Sequence, residues 1–477
     1  MRVLVTGATG YIGGRLVPTL VAQGHDVRVL VRDASRVPKQ SEGWEGVEVV
    51  EGDLLDAASL APALAGMEAA YYLVHSMGDA KSFEELELRA ADNFVAAAKD
   101  AGVRHVLYLG GLQPPGEARQ HLRSRAEVGR RLAALPLTEF QAGPVVGSGS
   151  ASFEIVRYLT ERLPVMLTPR WVDHRVDPIA IRDVLTYLTR ALETGPLGVV
   201  PIGSGAIRFR DMMEGYARVR GLRRRLIVKV PVFAPTLAAR WVQFITPVTN
   251  RVAVPVIDGM REDLVADTTA ARSAFPDVVP MPYEEAVALA IARTEGDLVP
   301  TRWSSAHGAA GAATPFSMVD EHNLKREARR VEVAAPPEAA FAVVASLGGK
   351  TGWLAWDWAW QVRGAVDRMV GGPGLRRGRR SSKAVRVGDA VDFWRVEAVE
   401  PPHLLLLRAE MKVPGKAWLR FEVVPGPDGS TCTLIQTALF EPRGMPGWAY
   451  WNVLYPVHRQ IFRAMPKAIA KEAVARG

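Results

Sequence analysis

The chain has 477 residues, 48% of them apolar and 23% charged, which is too long for one hydrophobic core and too apolar for a disordered protein. Its net charge of +8 comes from 59 basic and 51 acidic residues spread along the chain, and only 11 of the basic ones are Lys. Arginine excess is thus a habit of the whole sequence, and the basic runs "RGLRRRL" (220–226) and "GLRRGRRSSK" (374–383) lack the interleaved aromatics of a nucleic-acid module, so no nucleic-acid partner is expected.

The opening "MRVLVTG" holds a short apolar run that ends in a glycine turn, which is not the pattern of a secretory signal. With a single cysteine, Cys432, and hence no disulfide within the chain, a cytoplasmic protein is expected. Apolar runs at 2–6, 26–31, 47–51, 69–74, 105–110 and 138–143 read as strands, and 11–23 and 83–101 carry helical spacing between them. Continuously apolar strands alternating with helices predict a Rossmann-type α/β fold, a doubly wound parallel sheet covered on both faces. Between about 165 and 295 the pattern is mixed, with helices near 181–192 and 283–293. This part reads as a substrate-side lobe of the same 1–295 domain.

Residues 230–257 are the most membrane-like stretch, but four prolines, Arg240, Asn250 and Arg251 break it, so no transmembrane helix is expected. A segment lying on a membrane surface is the alternative there. The small, glycine-rich 304–317 marks a linker, placed at 296–318. Beyond it, at 319–477, the last 125 residues hold eight of the twelve tryptophans. Strand-like runs at 329–335, 389–401, 403–411, 416–426 and 430–442 are separated by hairpin-scale gaps. A short helix at 336–346 and a helical tail at 457–474 complete a C-terminal α+β domain, an antiparallel sheet closed by a long helix.

The most specific motif is "VLVTGATGYIGGRL" (3–16), which follows a strand and opens a helix. Gly7 permits the tight turn, Gly10 lets backbone amides approach a pyrophosphate, and Gly13 brings the helix close to the strand. Ala8, Thr9, Tyr11 and Ile12 complete the loop. The second strand ends before Arg32, with Arg36 close behind; guanidinium groups there suit a 2′-phosphate, so NADP is favoured over NAD, although Asp33 stands next door. Asp53, with Leu54 beside it, is placed either to reach an adenine edge or to cap the helix that follows.

"TGATGYIG", "VLVRD", "GDLLD", "VLYLGGL" and "AGPVVGSGS", in this order, resemble the atypical short-chain dehydrogenase/reductases, in particular the NAD(P)H-binding group of nitrogen-repression regulators and isoflavone reductase-like enzymes. The resemblance implies that Val74, His75, Ser76, Leu109, Gly110, Gly111, Pro144 and Val145 border the nicotinamide half of a cofactor. The C-terminal part resembles a domain of uncharacterised function fused behind such dehydrogenases, similar to START and pollen-allergen helix-grip folds. That likeness implies an apolar cavity for a hydrophobic molecule, with a solid aromatic core as the alternative.

Standard members of the superfamily use a tyrosine as general acid/base, a lysine four residues on, and a Ser or Thr that orients the substrate oxygen. Here "HLRSRAE" puts His121 in the tyrosine place and Arg125 in the lysine place, while Gly110 and Gly111 fall where the Ser/Thr would be. No Tyr-x-x-x-Lys occurs anywhere in the chain. A histidine exchanges a proton near neutral pH, and an arginine keeps its charge and can hold ribose hydroxyls or a developing oxyanion. Ser124 is a further donor and His75 a second acid/base candidate. No metal set is present in the scattered histidines and lone cysteine. The sequence therefore predicts an NADPH-dependent reductase of a hydrophobic small molecule, monomeric or homodimeric. The alternatives are a non-catalytic NADPH sensor and a hydrophobic-ligand carrier with a cofactor-responsive domain.

Overall fold

The computed structural model describes residues 1–38, 41–74, 81–114, 120–230, 245, 246, 248, 262–296, 298–305, 324–377 and 379–476. The chain divides into two compact units, Met1–Ala309 and Ala310–Gly477.

In the first unit strands and helices alternate: β1 (Arg2–Thr6), α1 (Gly13–Ala22), β2 (Asp26–Val31), β3 (Glu48–Glu51), α2 (Leu60–Leu64), β4 (Ala69–Tyr72), α3 (Lys81–Asp100), β5 (His105–Gly111), α4 (Gln120–Leu132) and β6 (Leu137–Ala142). With β11 (Gly198–Ile202) they build a seven-stranded sheet in the order β11-β6-β5-β4-β1-β2-β3, every neighbouring pair parallel. Successive side chains point to opposite faces, so Val3 and Val5 enter one core while Leu4 enters the other. Burial on both faces explains the continuously apolar strands. The chain goes from β1 outward to β2 and β3, then returns to β4 on the other side of β1. The crevice at the carboxyl ends of β1 and β4 is therefore the switch point where such sheets take ligands.

The lobe is made of β7 (Val145–Val146), α5 (Ala151–Arg162), β8 (Val165–Thr168), β9 (Arg175–Val176), β10 (Ile179–Ala180), β12 (Ile207–Arg208), α7 (Phe209–Val219), β13 (Leu226–Lys229), α8 (Thr269–Ala274) and α9 (Tyr283–Glu295); α6 (Ile181–Thr194) and β11 return to the main sheet. Phe153, Met212, Tyr216 and Val287 anchor its own core. Most of the membrane-like 230–257 lies outside the described residues. Residues 298–305, inside the stretch read as linker, are hydrogen-bonded into the first unit: Trp303 N–H donates to Gly149 O at 2.9 Å.

In the second unit, β14 (Lys325–Val333), β15 (Ala390–Val391), β16 (Trp394–Glu400), β17 (Leu404–Ala409), β18 (Gly415–Pro425) and β19 (Cys432–Pro442) form an antiparallel sheet, order β14-β19-β18-β17-β16-β15. α10 (Pro337–Ser346), α11 (Asp357–Met369) and the 33-residue α12 (Gly444–Arg476) accompany it. Ile461, Phe462, Met465 and Ile469 of α12 share one core with Leu419, Phe421 and Leu434 of the sheet. Trp353 packs within it against Trp360 and Phe393, ring centroids 5.4 and 6.5 Å apart.

Candidate functional site

The glycine loop is fixed from both sides. Thr6 Oγ1 donates to Tyr71 O at 3.0 Å and accepts from Leu73 N–H at 3.2 Å, which bolts the end of β1 to the end of β4. Gly7 has φ +68°, and a Cβ there would sit 2.6 Å from Leu73 O, so only glycine turns here. At Gly13 a Cβ would collide with the Gly7 carbonyl. α1 begins without a side-chain cap: Gly14 N–H donates to Gly10 O and Arg15 N–H to Ile12 O, both at 3.0 Å, and the positive end of the helix dipole lies at the loop.

Behind the loop, the buried Arg15 donates from Nε to Thr301 Oγ1 at 2.9 Å and from Nη2 to Ser148 O at 2.7 Å, with its guanidinium 4.7 Å from the Tyr11 ring centroid. Burial pushes the Tyr11 phenol up to about 12, against the pull of Arg15, so this side chain braces the loop and holds its proton at neutral pH. Ala8 is fully buried, and Ile12 packs against the same core.

In front of the loop lies a cleft of about 260 Å³ at the switch point. Of the residues expected at a cofactor, Gly7, Thr9, Gly10, Arg32, Arg36, Asp53, Leu54 and Val74 line it. Arg32 is exposed at the rim, and Arg36 donates from Nη2 to Ser305 O at 2.6 Å. Asp33 lines the cleft as well, and its Oδ1 accepts from Ser35 N–H at 2.9 Å and Ser35 Oγ at 2.6 Å. Asp53 Oδ1 accepts from Leu55 N–H at 3.0 Å in a local turn, whereas the helix that follows is capped by Asp56, so the capping role is not the one taken. Leu86, Glu87 and Ala90 of α3 close the far wall.

At the end of β5, Arg125 reaches over the two glycines. Its Nη2 lies 3.5 Å from Leu109 O, and a Cβ on Gly111 would come within 3.3 Å of Nη1. Tyr108 Oη donates to Arg125 O at 3.1 Å, tying α4 to β5. Ser124 does not join this group: it is buried, and its Oγ donates to Glu87 Oε2 at 2.5 Å. Pro144 and Val145 stand where β7 pairs with β10, their carbonyls taken by Ile179 N–H at 3.1 Å and by Ser150 Oγ at 2.8 Å. His121 lies in the first turn of α4, one turn before Arg125, with its side chain outside the described residues; His75 is outside them altogether.

A residue the sequence reading passed over is Glu139 on β6, only 4% exposed and packed against Gly110 and Gly129. Burial pushes its carboxyl up, offset in part by the hydrogen bond from Gln141 Nε2 at 2.9 Å and by the charge of Arg125. The signal was one acid inside the apolar strand "TEFQAG". Among the described residues there is no cluster of three metal-ligating side chains and no helix long and apolar enough to cross a membrane.

The NmrA-like family model matches residues 1–123, and a model described as a protein of unknown function (DUF2867) matches 324–465. Sterol demethylase protein B of Methylococcus capsulatus is 25% identical over 58% of this chain and 97% of its own length. The ceramide reductase of Caulobacter vibrioides is 28% identical over 59% of this chain and 90% of its own. A 3-beta-hydroxysteroid dehydrogenase of Mycolicibacterium neoaurum is 33% identical over 22% of this chain and 31% of its own. Among solved structures, the Bordetella bronchiseptica enzyme WbmG in complex with NAD is 16% identical over 64% of this chain and 96% of that one, TM-score 0.50, a likeness of fold. Residues 1–123 thus match the NmrA-like family on a Rossmann-type sheet, and 324–465 match a separate C-terminal DUF2867 domain.

Proposed function

We propose that the first unit binds a nicotinamide dinucleotide, NADP in preference to NAD, and uses it to reduce a hydrophobic small molecule. The observation that carries this is the cleft itself: a glycine loop in which a Cβ would strike backbone, a helix start with no side-chain cap, and Arg32 and Arg36 on the rim, with one oxygen of the neighbouring Asp33 carboxylate taken by Ser35. The names of two relatives that align over most of their length, a sterol demethylase protein and a ceramide reductase, support a lipid-like substrate.

When bound, the cofactor supplies hydride. Arg125, fixed over Gly111 and backed by the buried Glu139, holds ribose hydroxyls or the oxygen on which charge develops. His121, one turn earlier on α4, supplies the proton that a tyrosine gives in standard members, with His75 as the second candidate for that step. The hydroxyl of Ser124, engaged by Glu87, positions α4. The absent Tyr-Lys pair keeps a second reading alive, a non-catalytic NADPH sensor.

Titration of the purified protein with NADPH and NADP⁺, followed by tryptophan fluorescence, tests both readings, and failure of both ligands to bind overturns them. His121→Phe then separates the two. A reductase activity that survives this change intact removes His121 as the proton donor, while NADPH binding with no turnover of sterol, ceramide or ketone substrates favours the sensor.

A further inference from the structure

The outward face of α12 is unlike any other helix surface described in the chain. Residues 444–458, "GMPGWAYWNVLYPVH", contain no Asp, Glu, Lys or Arg, yet Met445 is 84% exposed, Trp448 58% and Val453 73%. From there the same face turns cationic: Arg459, Arg463, Lys467 and Lys471 follow one another at intervals of four and all are exposed. The only acid in the helix, Glu472, is held by Arg476 at 2.9 Å, and none of the four cations has a carboxylate partner among the described residues. The opposite face, Ile461, Met465, Ile469 and Ala473, fills the core, so the cationic stripe can only look outward.

A second exposed apolar stripe runs down α11 through Trp358, Val362, Val366 and Met369. Arg363 of α11 joins the two helices, its Nη2 3.3 Å from Tyr450 Oη of α12. A soluble surface does not keep large aromatic and aliphatic side chains in such runs without a partner. Tryptophans and aliphatics beside unpaired cations suit one environment well, the boundary of a bilayer with phosphate-bearing headgroups.

We propose that this face of the second unit docks on an anionic lipid surface. Met445, Trp448 and Val453, joined by the α11 stripe, enter the headgroup–acyl boundary, while Arg459, Arg463, Lys467 and Lys471 lie against lipid phosphates. The inference rests on the second unit alone and does not depend on the cofactor reading. Each cation near such a surface is worth roughly fivefold in partitioning, so the interaction is sensitive to salt.

The test is cosedimentation of the full chain with vesicles of phosphatidylcholine containing phosphatidylglycerol, against vesicles of phosphatidylcholine alone. Pelleting with the first, strongly reduced with the second and reversed by salt, is the expected result. A triple exchange of Arg459, Arg463 and Lys467 to Glu, and separately Trp448→Asp, should each lower binding at least about tenfold. Circular dichroism and the melting temperature check that both variants fold. Absence of pelleting by the parent protein, or binding indifferent to both variants, overturns the proposal. So does a dimer, seen by light scattering without lipid, that Trp448→Asp dissociates while vesicle binding is absent; the face would then belong to a second copy of the chain.

Discussion

Asp33 and Arg32 are adjacent, yet their side chains serve different ends. One oxygen of the Asp33 carboxylate accepts twice from Ser35, and the Arg32 guanidinium stays at the rim of the cleft. Arg32→Asp should therefore weaken NADPH binding roughly 10–100-fold, the worth of a charge-assisted contact, and leave NADH binding little changed; isothermal titration reads the difference. At Arg125 the expectation concerns rate. Arg125→Met keeps the length of the side chain over Gly111 but removes its charge, and should cost on the order of 10²-fold in kcat/KM with a smaller change in melting temperature. The glycine loop and the cations after β2 could be read from residue order alone, because each acts through backbone or charge at a fixed place in a βαβ unit. The occupation of Asp33, Asp53 and Ser124 could not, because their partners depend on local turns or, for Glu87, on a helix 37 residues away.

Among elements, β5 and β6 carry a pH-dependent weakness. His105 is buried between them with Nε2 2.9 Å from Thr138 Oγ1, and burial lowers its pKa from the ordinary 6.5 to about 4. The folded state then favours the neutral ring, while the unfolded chain takes a proton below about 6.5. Stability from this group is complete above that value and is lost as pH falls toward 4, so His105→Gln should flatten the decline in melting temperature over this window. In the second unit, Met465 of α12 is fully buried, and Met465→Ala should cost about 2–5 kcal/mol in chemical denaturation.

Six of the seven strands of the parallel sheet were legible to within about two residues because burial leaves an apolar run, whereas β11 at the sheet's edge was not read. The long helix was read only from 457, although it starts at Gly444. Pro446 and Pro456 look like terminators, and the exposed, uncharged first half lacks the two-faced pattern of a surface helix. α11 was missed for a related reason, since its tryptophans and valines point outward as well as inward.

At the scale of the whole chain, each unit has a core of its own: Val333 to Ala473 supply one, and the other cores draw on Val3 to Ala290. Each unit therefore has the buried material that cooperative unfolding requires. The first unit also has a defined way out. After α9 the backbone returns to the glycine loop, where Thr301 is gripped by Arg15 and Ser305 O receives Arg36. On the proposed NADP reading, Arg36 is also one of the two cations that would meet a 2′-phosphate. A cofactor bearing that phosphate competes with Ser305 for the guanidinium, whereas one lacking it leaves the bond alone. On that reading, the arginine that would tell the two dinucleotides apart is also the one that holds Ser305 O. Loading the first unit with NADPH should then weaken the Arg36–Ser305 bond where NADH would not, read as faster hydrogen exchange at residues 298–305.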